Sequence, residues 1–246
     1  MRYTTVCFVR QDLRPSDADK LPHLSQPYER NNMKLPYIVG LTGQSGAGKT
    51  TLANVFRQAG NHVLDADIIA RKAMEQGSPC LRQCVLAFGE EILLPDGSLD
   101  RKKLAGIVFS DREKLKLLDE ICYPHIDMMI FREIVELSAQ KPEYILLDAP
   151  TLFEAGADIF CDMIISVTAP EDMRISRIMA RDGISEEAAR ARISSQHDEE
   201  FFKSHSDICI SNSGSLREYE KECLSAVMQI MIKPKRHRKT NNEKKS

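Results

Sequence analysis

At 246 residues and 42% hydrophobic content, the chain can bury the core of one α/β domain with room for inserted lobes. A formal charge of −2 gives no bulk attraction to nucleic acid, and 6% aromatic content with no Trp argues against base-stacking platforms. No apolar run reaches the ~18–20 residues of a membrane span, no secretory apolar segment opens the chain, and the seven cysteines are scattered, so reduced thiols and a cytoplasmic location are expected.

Residues 1–32 differ from the rest. They carry Pro15, Pro22 and Pro27, mixed charge and one short apolar patch, Val6–Val9. They read as a mobile extension to a domain spanning 33–232. An edge strand at Tyr3–Val9 or an upstream mis-assigned start are the alternatives, and Met33 is an attractive second start.

The apolar run Tyr37–Leu41 predicts a buried strand. Gly43-Gln44-Ser45-Gly46-Ala47-Gly48-Lys49-Thr50 follows and matches the phosphate-cradling pattern G-x-x-x-x-G-K-[ST]. Glycines permit the tight turn, backbone N–H groups point inward, and the next helix presents its positive end. Lys49 can reach the β/γ-phosphates and the Thr50 hydroxyl can hold Mg²⁺, with Thr51 the lesser candidate. A helix with Leu52, Val55 and Phe56 on one face runs to about Gln58 and stops at Gly60.

His62–Asp67 predicts a second strand ending in two carboxylates, Asp65 and Asp67, two residues apart and so on one side. Between about 68 and 140 the chain reads as a helical insertion. It comprises helices over Ile68–Gln76, Leu81–Phe88 with Pro79 in the first turn, one capped by Asp100, Asp111–Cys122 interrupted by Pro124, and Ile126–Ala139. Cys80 and Cys84 lie four apart with no nearby C-x-x-C or His pair, a spacing that argues against zinc.

Tyr144–Asp148 predicts a strand ending in an acid, at the sheet edge where such folds bind ligands. Met163–Val167 is the next strand. Met173–Ala180 is a helix bearing Arg174, Arg177 and, at its end, Arg181, and Ser185 caps a helix over Glu186–His197. Ile208–Ile210 is the last strand, and Ser215–Met231 a closing helix. Strands alternating with helices predict a three-layer parallel α/β fold, with core segments at about 37–67, 143–170 and 205–232. The tail 233–246 carries seven Lys/Arg against one Glu and reads as a disordered basic terminus.

Several ordered segments resemble the dephospho-CoA kinase family. They are Gly40–Gly43, Asp65–Arg71, Gly77-Ser78-Pro79, Phe88-Gly89, Asp96–Arg101, Pro150–Glu154, Arg190–Ile193 with Gln196, and Ile210–Gly214. The match runs in the family's order from about Tyr37 to Met231. This chain departs from the family pattern at Thr151, at Tyr123 before Pro124, at Met173 and at Ser206.

The resemblance implies a P-loop kinase fold with a helical acceptor-binding insertion and an arginine-bearing lid at 171–197. It implies transfer of the γ-phosphoryl of ATP to the ribose 3′-hydroxyl of dephospho-CoA, with Mg²⁺ and without nucleic-acid partners. By resemblance Asp67 is the base, Lys49 and Arg177 stabilise the transferring group, and Asp65, Arg101, Pro150, Leu152, Phe153 and Glu154 face the acceptor. Residues Gly43–Thr51, Asn212 and Gly214 would face ATP, and Asp148 would orient Mg²⁺ through water. Two rivals remain at this level: a nucleoside monophosphate kinase with the same loop, and a nucleotide-dependent switch, although no Asn-Lys-x-Asp segment is present.

Overall fold

In the computed structural model, which describes residues 35–232, five parallel strands form one sheet in the order β2-β3-β1-β4-β5. They are β1 (Tyr37–Gly43), β2 (His62–Asp65), β3 (Tyr144–Asp148), β4 (Met163–Thr168) and β5 (Ile208–Ser211). Successive strand side chains point to opposite faces. Tyr37, Val39, Leu41, Tyr144 and Leu146 therefore pack in one core, while Ile38, Ile145 and Leu147 pack in a second. This accounts for the near-continuous apolar runs, since both faces of the sheet are covered.

The first core is closed by α1 (Lys49–Gln58) and α9 (Leu216–Ile232), through Leu52, Phe56, Tyr219 and Val227. The second is closed by Ile69 of α2 (Ala66–Ala73) and by Ile130 and Ile134 of α5 (Arg112–Ser138). These are the three layers expected. Residues 1–34 and 233–246, on which the expected extension and basic tail fall, lie outside the described residues.

Helices α3 (Pro79–Phe88) and α4 (Arg101–Val108) pack with the front of α5 around a third core of Cys80, Leu81, Cys84, Ile92, Leu104 and Leu115. Helices α6 (Glu171–Asp182) and α7 (Glu186–Ser194) enclose a small fourth core of Ile175, Ile178, Ala189 and Ile193. Caps set many of these boundaries. Asp65, Ser78, Asp100, Asp111 and Ser185 each accept a backbone N–H at the start of α2, α3, α4, α5 and α7.

Three expectations are corrected. The second strand ends at Asp65, whose carboxylate takes the Ile68 N–H at 3.1 Å and turns the chain into α2. Asp67 thus sits in the first helical turn and not on the strand. Pro124 does not break the chain, because α5 runs on for 27 residues with it inside. An internal proline costs about 3 kcal/mol. Here Leu115 on one side is buried in the third core, and Ile130 and Ile134 on the other are buried in the second, so each half is held separately. Finally, α7 stops at Ser194, and a further helix, α8 (Glu199–His205), follows, capped by Asp198 on the Phe201 N–H at 2.8 Å.

Candidate active site

The loop between β1 and α1 is shaped by what glycine permits. Gly43 has φ +131°, and a Cβ there would lie 2.2 Å from the Val167 carbonyl oxygen. Only glycine lets the chain leave β1 so close to β4. Helix α1 then starts after Gly48 with no side-chain cap and no acid in its first turn, unlike the capped helices around it. The Thr51 N–H donates to the Gly48 carbonyl at 3.0 Å, and the helix end favours an anion in front of the loop.

Lys49 crosses back over this loop. Its Nζ donates to the Gly43 carbonyl at 2.8 Å and to Gln44 at 3.0 Å. The residue as a whole is half-buried with its ammonium sunk deepest. Burial lowers its pKa, opposed first by Asp148 and then by Asp67. From behind, Asn212 donates to the Ala47 carbonyl at 2.7 Å and Tyr219 to the Gly48 carbonyl at 3.0 Å. The Ser45 N–H donates to Gln196 Oε1 at 2.9 Å, tying the loop to the segment after α7.

A cleft of about 370 Å³ opens in front of the loop. It is lined by Lys49 and Thr50 on the loop side and by the carboxylates Asp65, Asp67 and Asp148. Strand register makes this meeting: Asp65 of β2 pairs with Asp148 of β3, which pairs in turn with β1 just before the loop. Burial pushes the Asp148 carboxyl up to about 6; Asp65 and Asp67 push the same way, and Lys49 opposes them.

The guanidiniums are distributed in a way that spacing alone does not reveal. Arg57, Arg71, Arg181 and Arg192 line the cleft. Asp182, the last residue of α6, accepts from Arg181 at 2.8 Å and from Arg192. Hydrogen bonds from Arg181 and then Arg192 hold its carboxyl down to about 2. Arg177 instead donates to the Gly46 carbonyl and to Asn212 Oδ1, both at 3.3 Å, bracing the outside of the loop. Arg174 is buried, with Nε and one terminal nitrogen lacking a hydrogen-bond partner among the described residues.

The remaining sequence-predicted residues are dispersed. Ser45, Gly46 and Pro150 line the cleft, as does Thr151. Gln44 and Ala47 are buried beneath the loop, and Thr51 is half-buried on α1 behind Thr50. Leu152 is fully buried in the second core under Gly40, not in the cleft wall. Phe153 meets Phe201 edge-on at 5.5 Å. The Glu154 side chain is only 6% exposed, with one oxygen 3.4 Å from His197 Nε2. Gly214 lies at the turn before α9 against Glu218, and Arg101 starts α4; neither is part of the cleft wall.

Arg57, Arg71, Arg192 and Gln196 receive no role from sequence reading. Two of them carried a usable signal. Thr50, Ala53 and Arg57 share one face of α1, and Asp67 and Arg71 stand four apart on α2. Arg192 and Gln196 carried none beyond the motif, since only folding returns α7 to the loop.

The comparisons with known proteins agree with this geometry. Residues 37–218 match the family model described as dephospho-CoA kinase. A dephospho-CoA kinase of Oryza sativa subsp. japonica is 43% identical over 197 residues, covering 80% of this chain and 85% of the relative. One of Arabidopsis thaliana is 40% identical over 193 residues, covering 78% and 83%. Among solved structures, dephospho-CoA kinase from Campylobacter jejuni superimposes with TM-score 0.61 at 29% identity, over 78% of this chain and 96% of that one. TT1252 from Thermus thermophilus does so with TM-score 0.70 at 34% identity, over 81% and 100%. A phosphate loop facing three aspartates across an arginine-lined cleft, in a chain matched over this length, has one reading: this protein belongs to the dephospho-CoA kinase family.

Proposed function

We propose that the cleft binds ATP on the phosphate loop and dephospho-CoA against the three aspartates, and moves the γ-phosphoryl to the ribose 3′-hydroxyl. The observation that carries this reading is one cleft lined at once by Lys49 and Thr50 and by Asp65, Asp67 and Asp148. Donor and acceptor sites share one wall-to-wall space, as in-line transfer requires.

Phosphoryl transfer needs mainly positioning and charge stabilisation. Lys49, released from the Gly43 and Gln44 carbonyls, reaches the β/γ-oxygens of ATP. Asp67 accepts the proton of the attacking hydroxyl, and Asp65, fixed by its cap to α2, holds the acceptor side. Arg181 and Arg192 supply further positive charge to the cleft lining, while Arg177 braces the loop through the Gly46 carbonyl. Asn212 and Gly214 contribute to the nucleotide side, the first by holding the loop. Pro150 lines the cleft, while Phe153, Glu154 and Arg101 are assigned to the acceptor side by family resemblance alone.

The donor set suits Mg²⁺. Thr50 offers a hydroxyl and Asp148 a carboxylate, both hard oxygen ligands lining the same cleft. Thr50 would hold the ion directly and Asp148 through water. When bound, Mg²⁺ neutralises charge building on the phosphate oxygens.

ADP release with dephospho-CoA, with AMP or CMP, and with no acceptor tests the assignment. Turnover confined to dephospho-CoA is expected; turnover with AMP in its place would overturn the acceptor reading. A second prediction concerns Asp182, which holds two cleft arginines at once. Asp182→Asn is expected to raise the KM for ATP about tenfold with a smaller fall in kcat, and Asp182→Glu to recover part of it. An unchanged KM in the Asn variant would remove Asp182 from arginine positioning.

A further inference from the structure

The insertion contains a sulfur cluster away from the cleft. Cys80 and Cys84 stand four residues apart on α3, both buried, and Cys122 comes from α5. Their Sγ atoms lie within 4.8 Å of one another. Met74, at the end of α2, adds a fourth sulfur. Its Sδ is 3.3 Å from Cys80, 3.9 Å from Cys84 and 3.8 Å from Cys122. Cys122 lies 3.7 Å from Cys80 and 4.0 Å from Cys84. Cys122 is half-buried as a residue, with its sulfur turned inward among the other three.

Five of the six separations are 3.3–4.0 Å and the sixth, Cys80 to Cys84, is within 4.8 Å, close to a tetrahedron. Four sulfurs around one ion at about 2.3 Å each stand about 3.8 Å apart, so the observed edges need little adjustment to close on a metal. They are too long for a disulfide, whose sulfurs approach to about 2.05 Å. Cys80 also sits in the first turn of α3, where the helix end favours a thiolate. Soft thiolate and thioether donors in tetrahedral array select Zn²⁺ or Cu⁺ and discriminate against Mg²⁺.

We propose that Cys80, Cys84, Cys122 and Met74 form a binding site for one thiophilic d¹⁰ cation, with the thioether favouring Cu⁺ over Zn²⁺. The ion joins three helices of the insertion through side chains alone. One of them is α2, which carries Asp67 in its first turn and Met74 just past its end, about two turns apart. The bound ion thereby anchors the far end of the helix that presents the acceptor-side carboxylate.

The test uses the full chain, reduced and stripped with chelator, titrated anaerobically with Zn²⁺ alone and with Cu⁺ alone against competing chromophoric chelators. One equivalent of either ion per chain is expected, with a raised melting temperature. X-ray absorption should show three to four sulfur ligands. Cys84→Ser and Cys122→Ser should each lose about a hundredfold in affinity or more, and Met74→Leu should weaken Cu⁺ more than Zn²⁺. Cys209→Ser, on β5 and outside the cluster, should bind as the parent does. Absence of saturable binding to the parent chain overturns the proposal. So does nitrogen- and oxygen-only ligation, or undiminished affinity in both cysteine variants. If the cysteine variants fail to fold, stoichiometry and ligation of the parent chain still decide.

Discussion

Asp67→Asn is expected to lower turnover by a factor of about 10²–10⁴, the usual contribution of a positioned general base, while ATP still binds. The change keeps the side chain's shape and removes its charge and basicity. Asp67 lies in the first turn of α2, across the cleft from the phosphate loop, so the donor cradle stays intact. Its carboxylate supports the buried ammonium of Lys49, but less than Asp148 does, so the nucleotide side keeps its main counter-charge. Calorimetric ATP binding and single-turnover kinetics separate the two effects. Turnover within about threefold of the parent would take the proton-accepting role away from Asp67.

Lys49→Ala should fail on both counts. ATP affinity is expected to fall about 10- to 100-fold, the worth of charge-assisted hydrogen bonds to the phosphates. Turnover should fall by about 10³, because the same group stabilises charge in the transition state. The fold should not suffer. Burial lowers the Lys49 pKa, meaning that the charged form is held in the empty site at a cost in stability. Removing it relieves that cost but takes a donor from the Gly43 and Gln44 carbonyls and a cation from Asp148, so the melting temperature should stay within a few degrees of the parent's. A sharply lower melting temperature would mark the defect as structural. Undiminished ATP binding would undercut the phosphate-loop assignment.

Much of the architecture was legible because its signals are local. The boundaries of β3 are those of its apolar run, and α3 begins at Pro79 behind Ser78 and ends before Gly89, as its punctuation indicates. The misreadings share a cause. Asp65 followed by Asp67 reads equally as a strand end or as a cap with an acidic first turn, and the open N–H groups of α2 decided for the cap. Pro124 is a strong local break signal, but two separate cores grip α5 on either side of it. Helix α8 is only seven residues long and offers too little periodicity to stand out beside its Asp198 cap.

The functional residues divide along the same line. Sequence alone determined the phosphate loop, because Gly43, Gly48, Lys49 and Thr50 act within one short stretch whose backbone makes the site. It also determined the order of the five strands, through apolar runs that each segment carries by itself. Tertiary structure alone decided what faces that loop. Parallel register sets Asp65 beside Asp148, and Asp182 gathers Arg181 and Arg192 while Arg177 turns to the loop's outer side. Packing of α5 on α3 brings Cys122 to Cys80 and Cys84, a convergence that the four-residue spacing of Cys80 and Cys84 does not reveal. Each of these depends on side chains distant in sequence converging when apolar faces are buried, and no local pattern encodes that geometry.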